Sequence, residues 1–216
     1  MTLVCGGELF TGNTCFLAAA VAEKKATMRD LVKNWTLSYA GNVVGTLFMV
    51  RFCYSQDALQ KFEDKLTTHT MFLPIHRQAW AAFNGGTLGD APAAAVIAAS
   101  KCALPWKSAF IRAVMGNWIV CMSILMATGS RSLASKMVAI FFPISAFVML
   151  GLEHSIANLF IVPLGMMRGG QMTTMDFLLK NLLPVTLGNI VGGALCVALS
   201  YSSIHGTLLD KKKDEK

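Results

Sequence analysis

Charge is what this chain has least of. Asp, Glu, Lys and Arg make up 14% of its 216 residues while apolar types make up 54%, against roughly 25% charged in an ordinary soluble domain. A water-exposed globular surface cannot be assembled from so little charge, so the expected solvent is lipid. Metal-ligand patterns are missing as well. The six cysteines, Cys5, Cys15, Cys53, Cys102, Cys121 and Cys196, show no C-x-x-C spacing and fall mostly within or beside apolar runs, where they read as small core residues. No hydrolase, kinase or metalloprotease motif is present. One histidine and two glutamates within apolar sequence, without a nucleophile or metal cluster, do not make an enzyme, and neither a cofactor nor a metal is expected. Although the net charge is +7, no basic face interleaved with aromatics supports a nucleic-acid partner. The positive charges flank apolar runs instead, at Lys24 to Lys33 and in the tail Lys211-Lys212-Lys213 and Lys216.

What is present is length in the apolar runs. A helix needs about 20 apolar residues to cross a bilayer, and four runs qualify: Leu37 to Tyr54, Ala109 to Thr128, Met137 to Gly165 and Leu182 to Ile204. The run Met1 to Ala22 is interrupted by Glu8 and Thr11-Gly12-Asn13 and reads as a broken helix. A signal peptide fits it poorly, because it lacks a basic leader and carries a glutamate in its apolar stretch. Ala91 to Leu104 reads as a short helix feeding the next span, with Pro105 bending the chain. If spans alternate, Lys24, Lys25, Arg29, Lys33, Arg131, Lys136 and the lysine tail share one side, as the positive-inside rule expects; Arg168 and Lys180 fall opposite.

The chain also says nearly the same thing twice. Gly6-Gly7-Glu8-Leu9-Phe10-Thr11-Gly12-Asn13 and Gly151-Leu152-Glu153-His154-Ser155-Ile156-Ala157-Asn158 both read G-x-E-x-x-x-x-N. Downstream, Lys33-Asn34 precedes Gly41-Asn42-Val43-Val44-Gly45, and Lys180-Asn181 precedes Gly188-Asn189-Ile190-Val191-Gly192 at the same internal spacing. Duplication inside apolar sequence is the signature of many transporters, and three spans per repeat would insert the copies in opposite orientations. The second copy has a span and a half-helix upstream that the first lacks. The expectation is therefore an all-α, inverted-repeat membrane bundle with two broken helices whose first span and a half are missing. Its parts would be residues 1–54 for the remainder of repeat one, 55–107 for an extramembrane loop and connecting helix, 108–204 for repeat two and 205–216 for a basic tail.

Ionisable groups at membrane depth are costly unless they face a cavity or one another, so Glu153 and His154 are the sharpest functional candidates. The histidine could pass a proton to a weak-acid anion near neutral pH. A buried carboxylate is expected in each repeat, with Glu8, Glu153, Asn13 and Asn158 fixing the two breaks. Half-helix N-termini at those breaks would present partial positive charge to an anion. Gly41, Gly45, Gly188 and Gly192 are small-xxx-small patterns expected in close helix packing, with Asn42 and Asn189 tying helices together.

These motifs, with Lys33-Asn34-Trp35 and Ser130-Arg131-Ser132-Leu133, resemble the formate/nitrite transporter family along the whole chain, its plant- and alga-type nitrite or bicarbonate members in particular. The resemblance implies a six-span, aquaporin-like protomer with its own pore, assembled as a homopentamer in the bilayer and passing formate, nitrite or bicarbonate, with protons as partners. By motif position it implies His154 as the central pore histidine, Thr11 as the threonine facing it and Phe147 as a constriction residue. It further implies Lys101 as a vestibule lysine that attracts anions and Asn117 as a polar partner near the histidine. The membrane that houses it, plasma membrane or plastid envelope, stays open. Two other readings stand beside this one: a neutral-solute channel of aquaporin-like shape, and a truncated assembly subunit that does not conduct.

Overall fold

The computed structural model of the chain describes residues 7–66 and 91–206, together with their side chains except those of 56–66 and 91–93. Gly6, the start of the first broken helix, His69 and His76 of the long loop, and the lysine tail lie outside the described residues. All described elements are helical: α1 (Phe10–Ala22), α2 (Met28–Leu66), α3 (Ala91–Cys102), α4 (Trp106–Gly129), α5 (Leu133–Met149) and α6 (Ser155–Met167). The last, α7, is the continuous stretch Thr174–His205.

By length and composition α4 and α7 can each cross a bilayer, with mean hydropathies of 1.7 and 2.0. The run Met137 to Gly165 is split as its sequence foretold. Helix α5 ends near Gly151, whose φ of +61° belongs to the left-handed region that glycine enters without a Cβ penalty. There the Gly151 N–H turns back to the Val148 carbonyl at 3.1 Å, and α6 begins four residues later. Two boundaries differ from expectation. Helix α2 runs through the division at 54/55 to Leu66, because the charged stretch after Tyr54 contains neither proline nor glycine and so has nothing to break the helix. Pro105 caps α4 rather than bending one continuous helix, and α3 stops at Cys102. Within α7, Phe177–Leu182 and Val191–Leu199 are wound as π-helix, a wider turn common at functional positions.

The packing is reciprocal between repeats. Half-helix α1 lies against its own α2 and against the C-terminal half of α7, while half-helix α6 lies against α2 as well as the first turns of α7. Helix α4 packs along α7, where Gly188 and Gly192 bring the two backbones together: a Cβ on either would collide with the Phe110 or Val114 carbonyl of α4. Gly41 and Gly45 are different. Nothing lies within 4 Å of a Cβ built on either, and with Asn42, Thr46, Met49, Ile156 and Phe160 they line a groove of about 360 Å³. The close contact expected at these two glycines is therefore not made among the described residues, since no helix there occupies the position that α4 takes on α7.

Polarity runs inward. Thr11, Thr14, Asn117, Ser155, Asn158, Asn181 and Asn189 are wholly buried, whereas Phe48, Phe52, Phe141, Phe142, Val148 and Met149 are exposed. Such a bundle suits a lipid surround with a polar interior.

Candidate functional site

Each break is held by a cage of side chains from its own repeat. In the first, the Glu8 carboxylate accepts a short bond from the Asn13 amide, which also donates to Asn34 Oδ1 at 2.9 Å. Asn42 closes the cage, its Oδ1 accepting from the Phe10 N–H at 2.9 Å and its amide donating to the Glu8 carbonyl at 3.0 Å. The Trp35 indole donates to the Asn13 carbonyl at 3.1 Å. In the second cage, Asn158 donates to Glu153 Oε2 at 2.6 Å and to Asn181 Oδ1 at 2.8 Å. Asn189 Oδ1 accepts from the Ser155 N–H at 2.8 Å, and its amide donates to the Glu153 carbonyl at 3.1 Å. The glutamate and three asparagines of the two cages match one for one, while Trp35 has Leu182 at the equivalent position. Asn42 thus stands in for the capping side chain that α1 lacks, and Asn189 adds to the cap that His154 gives α6.

The carboxylates part company in their surroundings. Glu153 is 2% exposed and is joined by Lys101, whose Nζ lies 2.8 Å from its Oε1. Glu8 is exposed. The expectation of a buried carboxylate in each repeat is thereby corrected: only the second copy is enclosed, because α3 and α4 pack over it with Lys101 and the Arg112 carbonyl. Lys101, expected as a vestibule lysine, is ion-paired to Glu153 and forms a wall of the second cage. Asn181 binds it there by donating to the Lys101 carbonyl at 3.0 Å.

Between the cages, Thr11 Oγ1 and His154 Nε2 lie 2.9 Å apart. Thr11 is in the first turn of α1 and His154 is the N-cap of α6, so the positive ends of two half-helices converge on this pair. The other ring nitrogen, Nδ1, accepts the Ala157 N–H at 3.2 Å. With Nδ1 an acceptor, the neutral ring is assigned its proton on Nε2 and donates it to Thr11. The threonine hydroxyl hydrogen is then free to point at a third group. Phe147 meets the histidine edge to face, with centroids 6.1 Å apart, and supplies an apolar wall.

His154, Thr11 and Phe147 are thus brought together. Asn117 stands one layer behind: its fully buried amide donates to the Thr11 carbonyl at 3.1 Å, Thr14 Oγ1 at 2.9 Å and the Asn189 carbonyl at 2.6 Å, and it binds the histidine only through Thr11. Sequence reasoning did not single out Asn34 and Asn181 as cage members, although both lie inside the repeated motif. No group of three or more His, Cys, Asp or Glu residues able to hold a metal occurs among the described residues.

Comparison with known proteins identifies the family. The sequence pattern of the formate/nitrite transporter family matches residues 1–203. A probable formate transporter of Methanothermobacter thermautotrophicus is 39% identical over 203 residues, covering 93% of this chain and 69% of the relative. The formate channel FocA of Escherichia coli strain K12 is 28% identical over 223 residues, covering 95% and 70%. A formate-nitrite transporter of Entamoeba histolytica is 29% identical, and the chain spans 51% of its length. Among solved structures, a pentameric formate channel with formate bound superposes with a TM-score of 0.69 at 28% identity, covering 94% of this chain and 77% of that one. With its helical bundle, duplicated cages and matching sequence, this chain belongs to the formate/nitrite transporter family.

Proposed function

We propose that this chain forms the pore-bearing part of a protomer that passes small monovalent anions, such as formate, nitrite or bicarbonate, across a membrane with a proton linkage at His154. A homopentamer is the proposed assembly, as in the pentameric formate channel that the fold resembles. The observation that carries the reading is the Thr11–His154 contact of 2.9 Å at the meeting of two half-helix N-termini.

An anion entering this zone loses water and must find donors in exchange. Thr11 Oγ–H is one such donor, His154 Nε2–H becomes a second on turning from Thr11 to the anion, and the half-helix dipoles add partial positive charge without a fixed cation that would trap the ion. A ring that has taken up a second proton from the aqueous side passes it to the anion and returns to its neutral form, and the neutral acid so made crosses the apolar stretch beside Phe147 at lower cost. Lys101 contributes less as an attractor than as the counter-charge that lets Glu153 sit buried beside the pore.

A non-conducting assembly subunit is the second reading, and the open Gly41–Gly45 face supports it. Proteoliposome uptake separates the two. Saturable uptake of at least one of the three anions, abolished by His154→Ala with the protein still folded, supports conduction through this site. Absence of uptake by well-folded, reconstituted protein supports the subunit reading, and uptake unchanged in His154→Ala refutes the histidine mechanism.

A further inference from the structure

Three sulfur-bearing side chains share one cluster that neither the cages nor the proposed anion path employs. Cys15 on α1 and Cys121 on α4 are 5% and 0% exposed and pack with Val197 and Ala198 of α7. Both thiol side chains are free and belong to this one buried contact cluster. Met122 packs against the same cluster and adds a thioether. Cys121 Sγ also donates to the Thr11 carbonyl at 3.6 Å, which places the cluster directly behind the Thr11–His154 pair. In the sequence the two cysteines are far apart and fit no ligand spacing; only the crossing of α1 and α4 unites them.

Thiolate and thioether donors select soft cations, whereas harder ions need oxygen or imidazole ligands. From this geometry we infer that Cys15 and Cys121, supported by Met122, form a binding site for a soft d10 cation of the Cu(I), Ag(I) or Hg(II) type. A divalent ion displaces both thiol protons and leaves a neutral bis-thiolate; a monovalent ion displaces one proton and leaves a neutral thiolate–thiol complex. Neutral products are the ones a buried, apolar site tolerates. No electron transfer is involved. Occupancy withdraws the Cys121 S–H from the Thr11 carbonyl and ties α1 to α4, so the half-helix that carries Thr11 is held in place by the metal.

Mercuric ion alone is the probe, read by thiolate-to-metal absorbance and by metal content after exposure to excess monothiol. These readouts do not depend on transport, so their failure is distinct from failure of the transport reading. With Cys5, Cys53, Cys102 and Cys196 replaced by alanine, the expected result is one retained ion per chain. Removing either remaining thiol, by Cys15→Ala or Cys121→Ala, lowers retention by about a hundredfold or more, the usual gain from linking two weak sites. Met122→Leu has a smaller effect. In the otherwise native chain, bridging requires that Cys15→Ala, Cys121→Ala and the double variant each lose the same single ion, a check that holds even if the four-alanine background fails to fold. Two ions per chain in that background, undiminished retention in either single variant, or no retention by the parent overturns the inference.

Discussion

Replacing Asn189 with leucine keeps the side-chain volume close to native and removes three buried hydrogen bonds at once. Its Oδ1 accepts the Ser155 N–H at 2.8 Å, and its amide donates to the carbonyls of Ala113 and Glu153 at 2.9 and 3.1 Å. A buried group stripped of its partner costs about 1–3 kcal/mol. The Ser155 N–H has a single hydrogen to place and bears the full penalty, while each carbonyl keeps a second lone pair and bears less, so the sum is about 3–6 kcal/mol. Asn42 makes the equivalent bonds to Phe10 and Glu8 but stands on the open Gly41–Gly45 face, where water can replace it; Asn42→Leu should cost about 1–2 kcal/mol. Both variants are to be compared with the parent by denaturant titration in one detergent, followed by tryptophan fluorescence. Equal losses in the two variants, or a loss below about 1 kcal/mol for Asn189→Leu, would refute the assignment of Asn189 as the buried cap of α6.

Glu153→Gln leaves the Lys101 ammonium facing a neutral amide and should destabilise the protein by about 3–5 kcal/mol, whereas the double variant with Lys101→Met recovers most of that loss; a thermodynamic cycle from the same titration checks the coupling. Thr11→Val removes the oxygen that receives His154 Nε2–H while preserving shape, and anion uptake in proteoliposomes should fall at least about tenfold, the kinetic equivalent of about 1.4 kcal/mol; unaltered uptake counts against the paired-donor site. Gly116→Ala drives a methyl to 2.8 Å from the Glu153 carbonyl and 2.9 Å from the Phe147 ring, an overpacking worth about 1–3 kcal/mol that should depress both stability and uptake. Gly41→Ala meets nothing among the described residues and should leave unfolding within about 1 kcal/mol of the parent, or slightly raise stability through helix propensity; disruption of the oligomer by this variant would show that another helix covers the face.

The legible parts of this fold were those written as pattern. Glu8, Asn13, Glu153 and Asn158 announce the two breaks because their motif occurs twice, and Gly151 fixes the second break through its positive φ. Asn34 and Asn181 lie inside the duplicated stretch, yet nothing in their spacing says that each binds the asparagine of its own break. The Lys101–Glu153 pair was illegible for a different reason: 52 positions separate the partners, and a lysine at the end of an alanine-rich helix looks the same whether it faces solvent or a buried carboxylate. The unequal exposure of Glu8 and Glu153 was hidden too, since burial depends on what packs outside the motif. Helix α2 overran its expected end because low hydropathy ends a membrane crossing without ending a helix. The thiol pair needed the crossing of α1 and α4.

The two cages also differ in when they can be built. Every member of the first, from Glu8 to Asn42, leaves the ribosome within one short stretch of chain, and local contacts of this kind close early. The second needs Lys101 from before the break and Asn181 and Asn189 from after it. Until α7 has been made and inserted, the start of α6 lacks the Asn189 acceptor for its Ser155 N–H, and the segment carrying His154 is not fixed opposite Thr11. The Thr11–His154 pair is therefore among the last features to form during synthesis, and a chain arrested before Asn181 has its first break secured while the histidine is still unplaced. Insertion intermediates halted at successive lengths should acquire the Thr11–His154 contact only after Asn189 has entered the membrane.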